Sequence, residues 1–232
     1  MKPYYEENGI TIFCRDCMEA MKEMPDKAFE LAIVDPDFGL GDKITCGGTW
    51  AAKLKKGDGD LGGKPPDQYW EQLFRVSASQ IVWGGNYYNL PPSRCFIVWD
   101  KVAHMDTLAD CEMAWTSFDA NAKIFKHPRN TSEKRIHICQ KPVALYKWLL
   151  KNYAKKGDKI LDTHLGSGSS AIAAYGMGFE LTGYEIDKDY CKAAVERIKR
   201  HMSQGVLPLE TPQVQNITLP LDIQCEIVEN EA

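Results

Sequence analysis

A short polar stretch that could bind a ligand, Asp35-Pro36-Asp37-Phe38, directly follows the apolar residues 31–34. An apolar run of this kind is typical of a buried strand in a parallel sheet, so the stretch lies where that strand ends. Asp, Pro and Gly are ordinary turn residues, and a simple turn is one interpretation. The aromatic ring of Phe38 beside two carboxylates instead combines a stacking surface with hydrogen-bond acceptors, which favours a binding site.

A second candidate site is the turn at residues 166–169, Gly-Ser-Gly-Ser, which separates a predicted strand from a predicted helix. Glycines at such a turn let a ligand approach the backbone, and the N-terminus of the helix offers unpaired N–H groups. Glu185 ends the next predicted strand, 17 residues after Gly168. A carboxylate there can accept hydrogen bonds from both hydroxyls of a ribose, so these features together predict a nucleoside-containing cofactor.

The glycine turn also fits the Gly-x-Gly-x-x-Ala pattern of dinucleotide-binding folds. Such a fold needs a second βαβ half after Glu185, but only 47 residues remain there, and those after His201 show no clear periodicity. The missing strands instead precede the glycine turn. We therefore predict a sheet whose second half comes first in the chain, a permutation that is tolerated because neighbours in space form the core.

Predicted strands and helices alternate along the chain, as expected for an α/β fold with a doubly wound, mostly parallel sheet. The predicted strands are residues 9–16, 29–35, 80–85, 95–101, 111–118, 158–165 and 180–186. The predicted helices are residues 17–24, 69–77, 141–154, 169–178 and 189–202. One domain is expected at residues 1–204, with a C-terminal tail at residues 205–232.

Composition sets the broad class of the protein. The 232 residues are 44% hydrophobic and 26% charged with a net charge of −4, which is typical of a globular protein in the cytoplasm. No apolar run is long enough to span a membrane, and the N-terminus does not resemble a signal peptide. The eight cysteines are scattered, and the histidines lack ligand spacing, so no metal site is predicted.

Four motifs, taken in order, resemble those of the permuted class of S-adenosylmethionine-dependent DNA amino-methyltransferases, which act on adenine N6 or cytosine N4. The matching stretches are Asp35-Pro36-Asp37-Phe38, Gln140-Lys141-Pro142-Val143, the box at residues 162–169 and the strand-end Glu185. The likeness covers residues 9 to 201 and is strongest to small phage and prophage members. It implies a Rossmann-like fold, S-adenosylmethionine as cofactor and double-stranded DNA as partner, in a bacterial cell or a phage-infected host.

The resemblance also implies roles for individual residues. The Asp35 carboxylate and the Pro36 carbonyl would accept the two N–H groups of the target amine, and Phe38 would stack on the flipped base. The residues implied in cofactor binding are Asp16, Asp35, Gln140, Lys141, Asp162, Gly166, Ser167, Gly168, Ser169 and Glu185. The third position of the catalytic motif is usually proline in the family, and Asp37 stands there in this chain.

Two basic segments are candidates for DNA contact. The first lies in a glycine-rich loop predicted to be mobile, residues 39–68, and the second in a predicted recognition insert, residues 102–136. Their candidate phosphate-binding side chains are Lys53, Lys55, Lys56, Lys123, Lys126, Arg129, Lys134 and Arg135. The alternative interpretation of the second segment is a solvated polar loop.

These features predict a DNA adenine N6-methyltransferase, because an aspartate at the head of the catalytic motif favours adenine within the family. The alternatives are methylation of cytosine N4, where serine more often takes that position, and a cofactor- and DNA-binding relative without activity. A homodimer is expected from the habit of small members of the class. Trp83, Trp99 and Trp115 lie in apolar strand runs and are predicted core residues.

Overall fold

The computed structural model describes residues 2–40, 63–102, 109–129, 135–137 and 139–204. Within these ranges, nine strands form one sheet. The strands are β1 (Tyr5–Glu7), β2 (Ile10–Cys14), β3 (Phe29–Val34), β4 (Ser77–Trp83), β5 (Phe96–Asp100), β6 (Cys111–Thr116), β7 (Lys123–Lys126), β8 (Lys159–Asp162) and β9 (Glu180–Glu185). The helices are α1 (Cys17–Glu23), α2 (Asp67–Val76), α3 (Val143–Tyr153), α4 (Ser169–Met177) and α5 (Lys188–Ser203).

The order of the strands in the sheet is β1-β2-β9-β8-β3-β4-β6-β5-β7. The five strands from β2 to β4 are parallel, whereas β6 runs antiparallel to both β4 and β5. Strand β3 leads to β4 on one side, and β8 leads to β9 on the other. The chain therefore diverges between β3 and β8, which is the switch point where ligands bind in doubly wound sheets. This confirms the predicted fold class.

Alternate residues of the strands pack into two different apolar cores, because successive side chains of a strand point to opposite faces. On one face, Ile33 packs with residues of α3, α4 and α5. On the other face, Ala32 and Val34 pack with residues of α1 and α2. Strand β3 is buried on both faces, as its continuous apolar sequence predicted. The three tryptophans predicted as core residues are all buried, which confirms that prediction.

The two edge strands were not predicted from the sequence. Strand β1 has only three residues, and it pairs antiparallel with β2. Strand β7 lies within the basic segment predicted as part of a recognition insert, and it pairs in parallel with β5. Both are short and largely polar on the exposed side, so only their pairing with a longer neighbour makes them strands.

The two predicted segments outside the regular elements are partly described. Helix α2 begins at Asp67, so the last two residues of the range 39–68 are helical, and residues 41–62 lie outside the described residues. The range 102–136 contributes β6 and β7 to the sheet. Its role in DNA recognition stays a prediction. The C-terminal tail from residue 205 also lies outside the described residues.

The carboxyl ends of the parallel strands place the predicted site residues at one edge of the sheet. Asp35 follows the last residue of β3, and Glu185 ends β9. Because β6 is antiparallel, its first residues lie at the same edge, and Trp83 of β4 pairs with Ala114. This register brings Glu112 to the edge that carries Asp35.

Within the ranges that the structure describes, no cluster of acidic, histidine or cysteine side chains could hold a metal ion. The six cysteines in these ranges are free thiols, three of them buried. None of the helices in the described part of the chain has the length and apolar character needed to cross a membrane.

Candidate active site

The carboxylate of Asp35 lies at the switch point, and its side chain is only 14% exposed. Its Oδ2 atom accepts a hydrogen bond from the ammonium of Lys141. Its Oδ1 atom is buried, and no described group lies within hydrogen-bond reach of it. Burial raises the pKa of Asp35, and the positive charge of Lys141 opposes that rise. A buried acceptor of this kind is costly unless a ligand completes it.

Lys141 precedes α3 and points into the same buried space. Its Nζ lies 3.2 Å from Glu112 Oε2 as well as on Asp35. It also lies over the rings of Trp83 and Phe38, at 5.3 and 5.9 Å from their centroids. Burial lowers the pKa of Lys141, but the two carboxylates outweigh burial and leave the pKa above its ordinary value. Lys141 is therefore a buried cation in contact with the candidate catalytic carboxylate.

Glu112 and Lys101 extend this ion pair away from Asp35, and neither was predicted from the sequence. Lys101 follows β5, and its Nζ lies 2.8 Å from Glu112 Oε1. Burial raises the pKa of Glu112, but Lys141 and Lys101 together lower it to about 2. The sequence carried one weak signal, a lysine directly after the apolar strand β5. Nothing in it indicated that β6 would run antiparallel.

The loop after Asp35 is fixed by side chains from two places. The Tyr88 hydroxyl lies 2.9 Å from the carbonyl oxygen of Pro36 and 3.1 Å from that of Asp37, so its proton is shared between them. The Asp37 carboxylate accepts from the N–H of Gly39 at 2.9 Å and from that of Gly63 at 3.2 Å. Asp37 thus ties the turn to the start of the segment that leads into α2.

The ring of Phe38 is partly exposed and stacks on the ring of Tyr87, with centroids 5.0 Å apart and planes 15° from parallel. Gly84 lies beneath it with φ +68°, and a Cβ atom there would overlap the Phe38 ring. A glycine is therefore required at position 84 both by its backbone conformation and by the close ring. The arrangement offers a stacked aromatic pair beside Asp35.

The glycine turn and the strand-end acid are brought together as predicted. The N–H of Gly166 donates to Glu185 Oε2 at 2.9 Å, and the N–H of Asp187 donates to Glu185 Oε1 at 2.9 Å. Gly166 and Gly168 have φ values of +52° and +73°, a region that favours glycine. Burial raises the pKa of Glu185, and the backbone N–H groups oppose that rise.

Asp162 lies beneath the glycine turn rather than at its surface. One carboxylate oxygen accepts from the Ser170 hydroxyl at 2.5 Å, and the other accepts from the N–H of His164 at 3.0 Å. Burial raises the pKa of Asp162 to about 7. Asp162 therefore supports the turn through contacts within the chain, and direct contact with a cofactor stays a prediction.

Ser167 and Ser169 are buried and connect the turn to the rest of the site. Ser169 Oγ donates to the carbonyl of Lys141 at 2.7 Å. Arg197 of α5, which the sequence analysis did not single out, donates to the Ser167 carbonyl at 2.7 Å and lies 2.9 Å from Ser169 Oγ. The glycine turn and Lys141 are thus held in one hydrogen-bonded unit.

The two remaining predicted cofactor residues make local contacts. Asp16 follows β2 and caps α1, because its Oδ1 accepts from the N–H of Met18 at 2.8 Å. Gln140 Oε1 accepts from the N–H of Ile136 at 2.9 Å. Asp16 lies at the carboxyl end of β2, next to β9, and so on the same edge as Glu185. Their contacts with a cofactor stay predictions.

The predicted DNA-binding residues are only partly within the described ranges, because Lys53, Lys55, Lys56 and Lys134 lie outside them. Of the others, Lys123 donates to Asn152 Oδ1 at 3.1 Å, and Lys126 lies 3.9 Å from Asp100 Oδ2. Arg129 donates to the carbonyl of Ala109, and Arg135 to that of Arg129, both at 3.0 Å. Since β7 is parallel to β5, Lys126 and Arg129 lie toward the edge that carries Asp35.

A family model described as DNA methylase, N6_N4_Mtase, matches residues 48–196. Among curated proteins, the chain is 22% identical to type II methyltransferase M.ScaI of Streptomyces caespitosus, covering 85% of this chain and 84% of that protein. It is also 22% identical to type II methyltransferase M2.DpnII of Streptococcus pneumoniae, covering 85% of this chain and 92% of that protein.

Two solved structures share the fold. The complex of M1.HpyAVI with SAM superposes with a TM-score of 0.52 at 17% identity, covering 82% of this chain and 98% of that one. The PvuII DNA methyltransferase, described as cytosine-N4-specific, superposes with a TM-score of 0.60 at 12% identity, covering 88% of this chain and 94% of that one. At these identities the likeness establishes the architecture of the sheet and its helices.

Proposed function

The chain belongs to the N6_N4_Mtase family of DNA methylases and is a DNA amino-methyltransferase, and we propose that its target is the N6 amine of an adenine flipped out of double-stranded DNA. The observation that carries the proposal is Asp35 Oδ1, a buried acceptor without a partner among the described groups. It follows directly on the strand at the switch point of the sheet. The carbonyl of Pro36 is the next acceptor along the chain.

The chemistry requires two such acceptors. The lone pair of an exocyclic amine is delocalised into the base, which makes the amine a poor nucleophile. When a carboxylate and a carbonyl bind its two N–H groups, the nitrogen becomes more tetrahedral and its lone pair is directed out of the ring plane. Asp35 and Pro36 would act in this way by positioning and electrostatic stabilisation. Phe38 would hold the flipped base by stacking on it.

The family's methyl donor is S-adenosylmethionine, and when bound it supplies an electrophilic methyl group. The residues of the glycine turn fit this cofactor. A partly buried carboxylate, Glu185, lies beside a turn that lacks Cβ atoms at Gly166 and Gly168, which suits a ribose and its neighbouring atoms. Glu185 would accept from the ribose hydroxyls, and the turn would contact the rest of the nucleoside.

Adenine is preferred because an aspartate heads the catalytic motif. Cytosine N4 is the second candidate, since the PvuII methyltransferase with the related fold is described as specific for it. Both bases present an exocyclic amine with two N–H groups, so the same pair of acceptors serves either. Formation of a homodimer and action within a bacterial or phage-infected cell stay predictions.

The test is to express the full chain in a host without DNA methylation and to sequence the modified bases. Digestion of the DNA to nucleosides should yield N6-methyladenine at one short sequence. The matched variant Asp35→Ala should yield none while still binding S-adenosylmethionine. Detection of N4-methylcytosine would contradict the choice of adenine. Methylation by Asp35→Ala at the wild-type rate would contradict the role of Asp35.

A further inference from the structure

Four buried charges form a chain that ends at the candidate catalytic carboxylate. In order they are Lys101, Glu112, Lys141 and Asp35, and each contacts the next. The signs alternate, so the chain is neutral as a whole. The two lysine side chains are 6% and 3% exposed, which is unusual for lysine unless its charge is paired.

We propose that Glu112 is a positioning residue for methyl transfer, which holds the Lys141 ammonium at Asp35 Oδ2 and so keeps Oδ1 directed at the target amine. This inference rests on the proposed function of Asp35. It assigns to Glu112, and behind it to Lys101, a role that no sequence motif indicates. Neither side chain touches the base or the cofactor in this role, because both act through Lys141.

The geometry of Lys141 explains why a second carboxylate is needed. An ammonium carries three donors and could bridge both oxygens of one carboxylate. If Lys141 bridged Asp35 in this way, Oδ1 would no longer be open to an amine. Glu112 Oε2, at 3.2 Å, attracts the ammonium from the side away from Oδ1. Lys101 in turn fixes Glu112 through its other oxygen, Oε1.

The elements that supply these groups make the arrangement rigid. Asp35 follows the central strand β3, Glu112 lies in β6, and Lys101 follows β5. Strand β6 is hydrogen-bonded to β5, with Trp99 opposite Glu112, and the N–H of Lys101 donates to the carbonyl of Asp110 at 2.9 Å. The positions of the charges are therefore set by the sheet itself rather than by loops. A site built on strands holds its groups more exactly than one built on loops.

The charges around Asp35 give the proposal a signature that packing alone would not produce. Lys141 lowers the pKa of Asp35, whereas Glu112 raises it. The other titratable groups that face Asp35 are Asp162 of β8, Tyr146 of α3 and Tyr88. Removing the negative charge of Glu112 should therefore lower the pKa of Asp35. Removing the positive charge of Lys141 should raise it.

The first experiment reads Asp35 directly, without any methylation. Carbon-detected NMR of the side-chain carboxyl, in the cofactor-free protein, gives its pKa in the wild type, Glu112→Gln and Lys141→Met. We expect a lower pKa in Glu112→Gln and a higher one in Lys141→Met. The matched control is Glu19→Gln, which removes an exposed carboxylate paired with Lys22 and should leave Asp35 unchanged. An Asp35 pKa that is unchanged or raised in Glu112→Gln would overturn the proposal.

The second experiment measures methyl transfer in a single turnover as a function of pH. Glu112→Gln should be slower than the wild type by about tenfold or more, since small displacements of a positioned group have effects of this size. Its acid limb should move to lower pH, that of Lys141→Met to higher pH, and the affinity of Glu112→Gln for S-adenosylmethionine should stay at the wild-type value. A wild-type rate in folded Glu112→Gln would contradict positioning by Glu112.

A third variant keeps the inference testable if Glu112→Gln does not fold. Glu112→Asp retains the charge but shortens the side chain, so the Asp35 pKa should stay near that of the wild type while the rate falls. An unchanged rate in Glu112→Asp would then overturn the proposal. If the wild type itself methylates no DNA, the proposed function fails, and the NMR titrations still decide whether Glu112 acts on Asp35.

Discussion

The hydroxyl of Tyr88 lies 2.9 Å from the carbonyl oxygen of Pro36, the second acceptor of the candidate catalytic pair. A carbonyl oxygen has two lone pairs, so this hydrogen bond leaves one for an incoming amine. The hydroxyl also reaches the carbonyl of Asp37. Tyr88 therefore orients two consecutive carbonyls of the loop that follows β3.

We predict that Tyr88→Phe lowers the rate of methyl transfer without weakening the binding of S-adenosylmethionine. The missing hydrogen bond is worth about 0.5–1.5 kcal/mol, which corresponds to a rate lowered by roughly three- to tenfold. Single-turnover kinetics and calorimetry measure the two quantities. Tyr4→Phe alters an exposed tyrosine and serves as the control. A wild-type rate in Tyr88→Phe would show that Pro36 needs no such support.

Asp37 replaces the proline that is usual in the family, and its carboxylate accepts from the N–H groups of Gly39 and Gly63. We predict that Asp37→Ala slows methyl transfer, because without these two hydrogen bonds the loop no longer has a fixed shape. Asp37→Asn should retain most of the rate, since the amide oxygen can still accept from Gly39. Equal rates in these two variants, measured in a single turnover, would exclude a role for the side chain in fixing the loop.

Glu185 is the predicted acceptor for the ribose hydroxyls. We predict that Glu185→Ala weakens the affinity for S-adenosylmethionine by about tenfold or more, because hydrogen bonds to a charged acceptor contribute about 1.5–3 kcal/mol. Glu185→Gln, which keeps one oxygen beside Gly166, should be weakened less. Calorimetry without DNA provides the measurement. Wild-type affinity in Glu185→Ala would refute the ribose assignment.

Asp162 should make stability depend on pH. Its pKa is raised by burial to about 7 in the folded protein, above its ordinary value in the unfolded chain. The protonated form is favoured by folding, so stability is lost as pH rises from the unfolded pKa through the folded one. The loss is at most about 1.4 kcal/mol for each unit between the two pKa values.

We therefore predict that Asp162→Asn, which cannot ionise, becomes more stable relative to the wild type as pH rises through this window. Denaturant unfolding of both proteins on the acid and alkaline sides of the window gives the two differences. Asp158→Asn, near the opposite edge of the sheet, is the control. A constant difference between Asp162→Asn and the wild type across the window would show that burial does not shift this group.

Lys126 and Arg129 lie toward the edge of the sheet that carries Asp35. If both bind phosphates, the double variant Lys126→Gln/Arg129→Gln should bind DNA more weakly. The dependence of log affinity on log salt should also become shallower, by about 0.9 for each phosphate that is no longer neutralised. Lys156→Gln, an exposed lysine before β8 and thus at the opposite edge, is the matched control. An unchanged salt dependence in the double variant would favour the solvated-loop interpretation.

The sequence by itself determined the class of the fold and the two ends of the site. Asp35 and Glu185 could be placed because an apolar run followed by a polar break marks where a strand ends. The carboxyl ends of parallel strands then meet at one edge of the sheet. The predicted strands and helices of the core were confirmed for the same reason, since their periodic patterns depend on local burial.

Only the tertiary structure decided which groups surround Asp35. Lys141 and Asp35 are 106 positions apart, and Glu112 reaches them because β6 runs antiparallel to its neighbours. The short strand β7 likewise exists because β5 offers it a pairing edge. Strand direction and edge pairing depend on contacts between distant residues, and a pattern read along the chain does not contain them. The buried chain of charges was therefore invisible until the sheet was assembled.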